Sequence, residues 1–111
     1  MRIIRFLFAL VLLGLIAPVH ALTLKPHRVA PGVYAFVGEV GGRTYANEAM
    51  NATTGFVVTT AGVVVIDSGA SYRVGKQIHQ AIRRVTLQPV KVVINTGGQD
   101  HRWLGNSYFV T

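Results

Sequence analysis

Residues 63–95 read VVVIDSGASYRVGKQIHQAIRRVTLQPVKVVIN. The run Val63 to Ile66 is apolar without alternation, the pattern of a strand covered on both faces, and it stops at Asp67-Ser68-Gly69. From Ser71 to Val85 the period changes: Val74, Ile78, Ile82 and Val85 recur at spacings of four, four and three, which lines one face of a helix. Ser71 can accept a backbone N–H at the helix start, and Arg83 and Arg84 suit its negative end. Pro89 bars continuation, and Val90 to Asn95 forms a second continuous apolar strand. Strand, helix and strand in that order predict a βαβ unit with parallel strands and a right-handed crossover. Such a unit brings Asp67 and the loop from Thr96 to Arg102 to one edge of the sheet, where open α/β sheets bind ligands.

Upstream, GVYAFVG (Gly32 to Gly38) has the β-branched and aromatic content of a strand bounded by glycines. Residues 39–54 show no sustained period and read as a loop. The stretch from Gly55 to Gly69 reads as a hairpin turning at Thr60-Ala61-Gly62.

The chain opens with Arg2 and Arg5, an apolar run from Phe6 to Ile16, Pro18, and then Val19-His20-Ala21 with small residues at the positions a signal peptidase reads. The run is shorter than the roughly 20 apolar residues of a membrane span. Residues 1–21 are therefore expected to be a cleaved signal peptide, and residues 22–111 a single periplasmic or secreted domain. With the signal go Arg2 and Arg5, so the net charge falls from +7 to +5. The remaining Lys and Arg are spread along the chain, which argues against a nucleic-acid surface. Membrane contact is expected only during export. There is no cysteine, so no disulfide, thiolate metal site or thiol nucleophile is available, and any metal must be held by His, Asp, Glu or backbone oxygen.

The strand at Val90 breaks into Thr96-Gly97-Gly98-Gln99-Asp100-His101-Arg102. Gly97 and Gly98 are expected to turn the backbone sharply through unusual dihedrals. A carboxylate and an imidazole at adjacent positions can supply an oxygen and a nitrogen to one metal ion or act as an acid–base pair. Asp100 can equally cap a short helix over RWLGNSYF, with His101 an ordinary surface histidine.

Taken in order, GVYAFVG, the Asn-containing loop, TGFVVTTAGVVVIDSGAS, IRRVTLQPVKVVINT and DHRWLGNSYF resemble the N-terminal half of metallo-β-lactamase fold hydrolases over roughly Pro31 to Thr111. They look most like exported quinoprotein-relay and SoxH-type zinc metallohydrolases. The resemblance implies an α/β fold, specifically the N-terminal half of an αββα sandwich. It also implies a buried aspartate at Asp67 that steadies the metal loop, and a loop of pattern His-x-His-x-Asp-His. Asp100 and His101 match its last two positions, which serve the second zinc, with Asp100 also acting on the metal-activated water. Here the loop is one residue shorter and lacks both leading histidines: Thr96 and Gly98, or Gly97 and Gln99, stand in their places. The expected first zinc site is lost from this loop.

The family's later ligands would follow Thr111, so the chain is expected to be an N-terminal fragment or the product of a truncated frame. Three functions follow as expectations. One is an exported zinc hydrolase of small-molecule esters, thioesters, amides or lactams, with one metal built on Asp100 and His101. Another is a secreted binding protein of the same fold that has lost catalysis. The last is a small flavodoxin-like domain whose Gly97-Gly98 loop holds an anion through backbone N–H groups.

Overall fold

The computed structural model of the chain describes residues 22–111; the signal-peptide reading of residues 1–21 lies outside the described residues. Five strands, β1 (His27–Ala30), β2 (Val33–Phe36), β3 (Thr54–Thr59), β4 (Gly62–Ile66) and β5 (Val90–Ile94), form one sheet in sequence order. The helices are α1 (Tyr72–Arg83) between β4 and β5, and two single turns beyond β5, α2 (Asp100–Trp103) and α3 (Asn106–Phe109). The first four strands pair antiparallel and β4 pairs parallel with β5 across the α1 crossover. The fold is thus α/β with a mixed sheet, and its three antiparallel pairs exclude the all-parallel flavodoxin-like arrangement.

The sequence dictates these elements locally. Thr59 and Gly62 flank the two-residue turn of the β3–β4 hairpin, where Gly62 takes a φ of 133° and the Thr59 hydroxyl donates to the Gly62 carbonyl at 2.7 Å. Ser71 caps α1 by accepting the Val74 N–H at 3.1 Å. The helix closes at Arg83, two residues short of Val85, but Val85 still packs against the core.

Alternation along the strands divides the sheet into two different faces. On one, Phe56, Val63 and Val65 are fully buried with Val74, Ile78, Ala81 and Ile82 of α1, and Tyr34 stacks on Phe56 with ring centroids 4.8 Å apart. Each buried Val, Ile or Phe side chain there is worth about 1.5–3 kcal/mol relative to exposure. On the other face the register aligns Val33, Val57, Val64 and Val92 in one row and Ala35, Gly55, Ile66 and Ile94 in the next. That face is as apolar as the first, yet Val64 and Ile66 are only half-buried, and Val92 and Ile94 are 47% and 49% exposed. The expectation that both faces of Val63 to Ile66 are covered is therefore met on one side only among the described residues. The continuous apolar run reflects two apolar faces, and α1 can lie on just one of them.

The third layer of contact lies at the end of β4. Ser68 donates its N–H to the Arg102 carbonyl at 2.8 Å and its hydroxyl to Asn106 Oδ1 at 2.6 Å, while the Gly105 N–H donates to the Gly69 carbonyl at 2.9 Å. The segments are so close that a Cβ on Gly105 would stand 1.9 Å from the Ser68 carbonyl oxygen, and one on Gly75 of α1 would stand 2.7 Å from the Gly105 oxygen. Two glycines thus permit the α2–α3 corner to press against both the β4 end and α1. A Gly105→Ala variant is expected to lose roughly 1–3 kcal/mol to overpacking, whereas Gly98→Ala, whose added methyl meets nothing within 4 Å, should stay within about 0.5 kcal/mol of the parent. Thermal melts of the two variants check this; coincident transitions would contradict it.

Candidate functional site

At the C-terminal edge of the parallel pair, β4 ends in Asp67, a non-glycine residue with φ 60° that is only 2% exposed. Its N–H continues the sheet by donating to the Ile94 carbonyl at 2.8 Å. Its carboxylate accepts the Thr96 N–H at 2.8 Å on Oδ1. On Oδ2 it accepts the Thr96 hydroxyl at 2.7 Å and the Arg102 guanidinium at 3.0 Å. Burial pushes this carboxyl upward, but the Thr96 and Arg102 hydrogen bonds outweigh it and the net displacement is below the ordinary range. An ionised buried carboxylate with three donors around it fixes the first residue of the loop that follows β5.

That loop is stiffened again by Arg102, which donates to Gln99 Oε1 at 2.9 Å and to the Thr96 hydroxyl at 2.9 Å, and by the Trp103 indole N–H on the Gly98 carbonyl at 3.1 Å. Gly97 and Gly98 do not behave as expected: neither lies in the left-handed region. What Gly97 supplies is room, since a Cβ there would stand 2.6 Å from Gln99 Oε1. Asp100 opens the single turn α2, where Gln99 is the N-cap residue and makes no side-chain capping bond. The Asp100 carboxylate instead accepts the His101 N–H at 2.7 Å.

Asp100 and His101 do not stand alone. Arg43, from the long loop between β2 and β3, donates from its two terminal nitrogens to Asp100 Oδ2 at 2.8 Å and Oδ1 at 2.5 Å, and to His101 Nδ1 at 2.6 Å. A guanidinium has no acceptor, so Nδ1 must carry the lone pair and the imidazole proton sits on Nε2. The Arg43 hydrogen bonds, aided by the His101 N–H, hold the Asp100 carboxyl down to about 2.

Arg43 owes its position to Asn47, which is 2% exposed and folds the loop around itself. Asn47 Oδ1 accepts from the Thr44 and Ala49 N–H groups at 2.9 and 3.0 Å, and its amide donates to Glu39 Oε2 at 3.1 Å and the Gly42 carbonyl at 3.0 Å. Glu48, at φ 48°, pairs with Arg73 of α1 at 3.0 Å and ties the loop to the helix. An open cleft of about 470 Å³, lined by Arg43, Tyr45, Glu48, Ser71 and Arg73, adjoins the cluster.

The donor set can be weighed against the zinc ion that the family resemblance implies. Asp100 Oδ1 and His101 Nδ1 lie 3.5 Å apart and converge on one cationic group. Two donors fit two of the three protein positions of a catalytic zinc. Among the described residues, no cluster of three or more His, Cys, Asp or Glu side chains could hold a metal ion.

Of the residues singled out from sequence, the structure brings Asp100 and His101 together with one cation and sets Asp67 at the base of their loop through Thr96. Asp67 and Arg102 form one charged pair and Asp100 and Arg43 another. Arg43, Asn47 and Arg102 were not singled out. Arg43 and Asn47 lie in a loop without period, 57 and 53 residues before Asp100, and no local spacing connects them to it. Compared by sequence with known protein families and with characterised proteins, the chain matches none.

Asp67→Ala is expected to lower the melting temperature more than Asp100→Ala. The first leaves buried donors unpaired at about 1–3 kcal/mol and puts Ala in a left-handed conformation, whereas Asp100 has half its side chain exposed. Equal melting temperatures for the two variants would contradict this assignment.

Proposed function

We propose that the chain carries the metal-loop half of an exported hydrolase of the metallo-β-lactamase type, acting on a small-molecule ester, thioester, amide or lactam. The observation that carries this reading is the convergence of the Asp100 carboxylate and His101 Nδ1 on a single cationic point at the C-terminal edge of the parallel pair. The order of elements supports it too: an antiparallel run of strands, then a βαβ unit with a buried Asp67 beneath the loop. So does the second apolar face of the sheet, which calls for a further layer of the kind an αββα sandwich supplies. Asp100 and His101 would hold the ion, with further ligands from outside the described residues. The chemistry expected of zinc there is Lewis-acid activation of water for attack on the carbonyl.

The chain's own contributions are positional. Asp67 and Arg102 hold the loop against the sheet, and the ionised Asp100 is oriented by Arg43 and by the His101 N–H. The cleft beside Arg43 offers a cationic wall to a substrate carboxylate.

A second reading, a secreted binding protein of the same fold without catalysis, is favoured by one specific observation: Arg43 engages both carboxylate oxygens and Nδ1, the atoms a metal ion would need. Zinc analysis of the purified full chain separates the two. A stoichiometric metal that disappears in Asp100→Ala is expected for the hydrolase, and no metal in either protein would favour the binding protein. Export is checked by N-terminal sequencing of the protein recovered from its producing cell, which is expected to begin at Leu22; a start at Met1 would contradict a cleaved signal peptide.

A further inference from the structure

Resting on the reading that Asp100 and His101 take a metal ion, we propose that the Arg43 guanidinium is a tethered cation that competes with that ion for the same seat. Arg43 donates to both oxygens of Asp100 and to Nδ1 of His101 at 2.5 to 2.8 Å, so the lone pairs that would face a metal on that side are already engaged. The guanidinium stays protonated throughout the working pH range, so it cannot give up its hold by titrating. Two cations cannot share one seat at these distances, and one must leave before the other binds.

The loop around Arg43 confines the exchange to a side chain. Asn47 pins the backbone on both sides, through the Gly42 carbonyl before Arg43 and the Thr44 N–H after it. The Arg43 side chain itself is 42% exposed. Open space lies beside it at Gly41 and Gly42, where an added Cβ would meet nothing within 4 Å. Rotation of the arginine stem into the adjoining cleft would clear the seat with the loop backbone in place. In the absence of metal the same contact neutralises Asp100 and keeps the imidazole proton on Nε2, so the loop is held in one arrangement before an ion arrives.

The test is calorimetric titration of zinc chloride into the full chain and into Arg43→Met, with thermal melts of each protein with and without zinc. Arg43→Met is expected to bind zinc at least about threefold more tightly, the scale of an exposed ion pair that no longer has to be broken. Zinc should also raise its melting temperature more than the parent's, and Asp100→Ala in the same background should abolish the gain. Zinc binding that is equal or weaker in Arg43→Met would overturn the competition and leave the metal reading standing; no zinc binding by any variant would overturn both. Should Arg43→Met lose its cooperative melt, Arg43→Gln, which keeps a polar but uncharged group, is titrated in its place against the same criteria.

Discussion

The buried carboxylate of Asp67 is the contact on which the arrangement of the loop depends. It sits where β4 ends, in a backbone conformation that costs energy outside glycine, and it is kept there because four hydrogen bonds converge on it or on its own N–H. Hydrogen bonding to the charged form offsets the desolvation of an ionised group, which is the condition for keeping a carboxylate inside a protein. Because Thr96 and Arg102 are both partners, the same carboxylate fixes the start of the loop and the turn that follows Asp100. The α2–α3 corner then closes over Ser68 through the Gly105 contact, so the β4 end, the loop and the corner form one unit.

Against that unit stands a second, built on Asn47. Its amide organises a loop with no regular structure, and the product of that organisation is the aim of Arg43 toward Asp100 and His101. The two buried polar residues, Asp67 and Asn47, thus prepare opposite sides of one small cluster. Neither hydrogen-bonds to Asp100 or His101 directly. Each acts by setting the place of a charged side chain beyond it.

The βαβ unit was legible because it is local: helical spacing of Val74, Ile78 and Ile82, the Ser71 cap, and two apolar strands need no partner to be recognised. The edge at which Asp67 and Thr96 meet followed from the parallel crossover. The dihedrals of Gly97 and Gly98 were not legible, since a glycine pair signals freedom without saying whether it is used for φ or for space. The uncovered sheet face was concealed by the same run of valines that marked the strand, because a strand apolar on both sides reads alike whether one side or both are packed. Arg43 and Asn47 were invisible for a different reason. They reach Asp100 only through the pairing of β2 with β3 and β3 with β4, a long-range arrangement that a loop rich in Gly, Asn and Thr does not encode in its own pattern.

Amide hydrogen exchange at Thr96 tests most directly whether Asp67 holds the loop. The Thr96 N–H should be protected in the parent protein, and in Asp67→Asn, which tolerates the left-handed backbone but lacks the charge, it should exchange faster together with His101 and Arg102 while β3 and β4 keep their protection. Exchange at Thr96 that is already unprotected in the parent, or unchanged in Asp67→Asn, would contradict the central role given to the carboxylate.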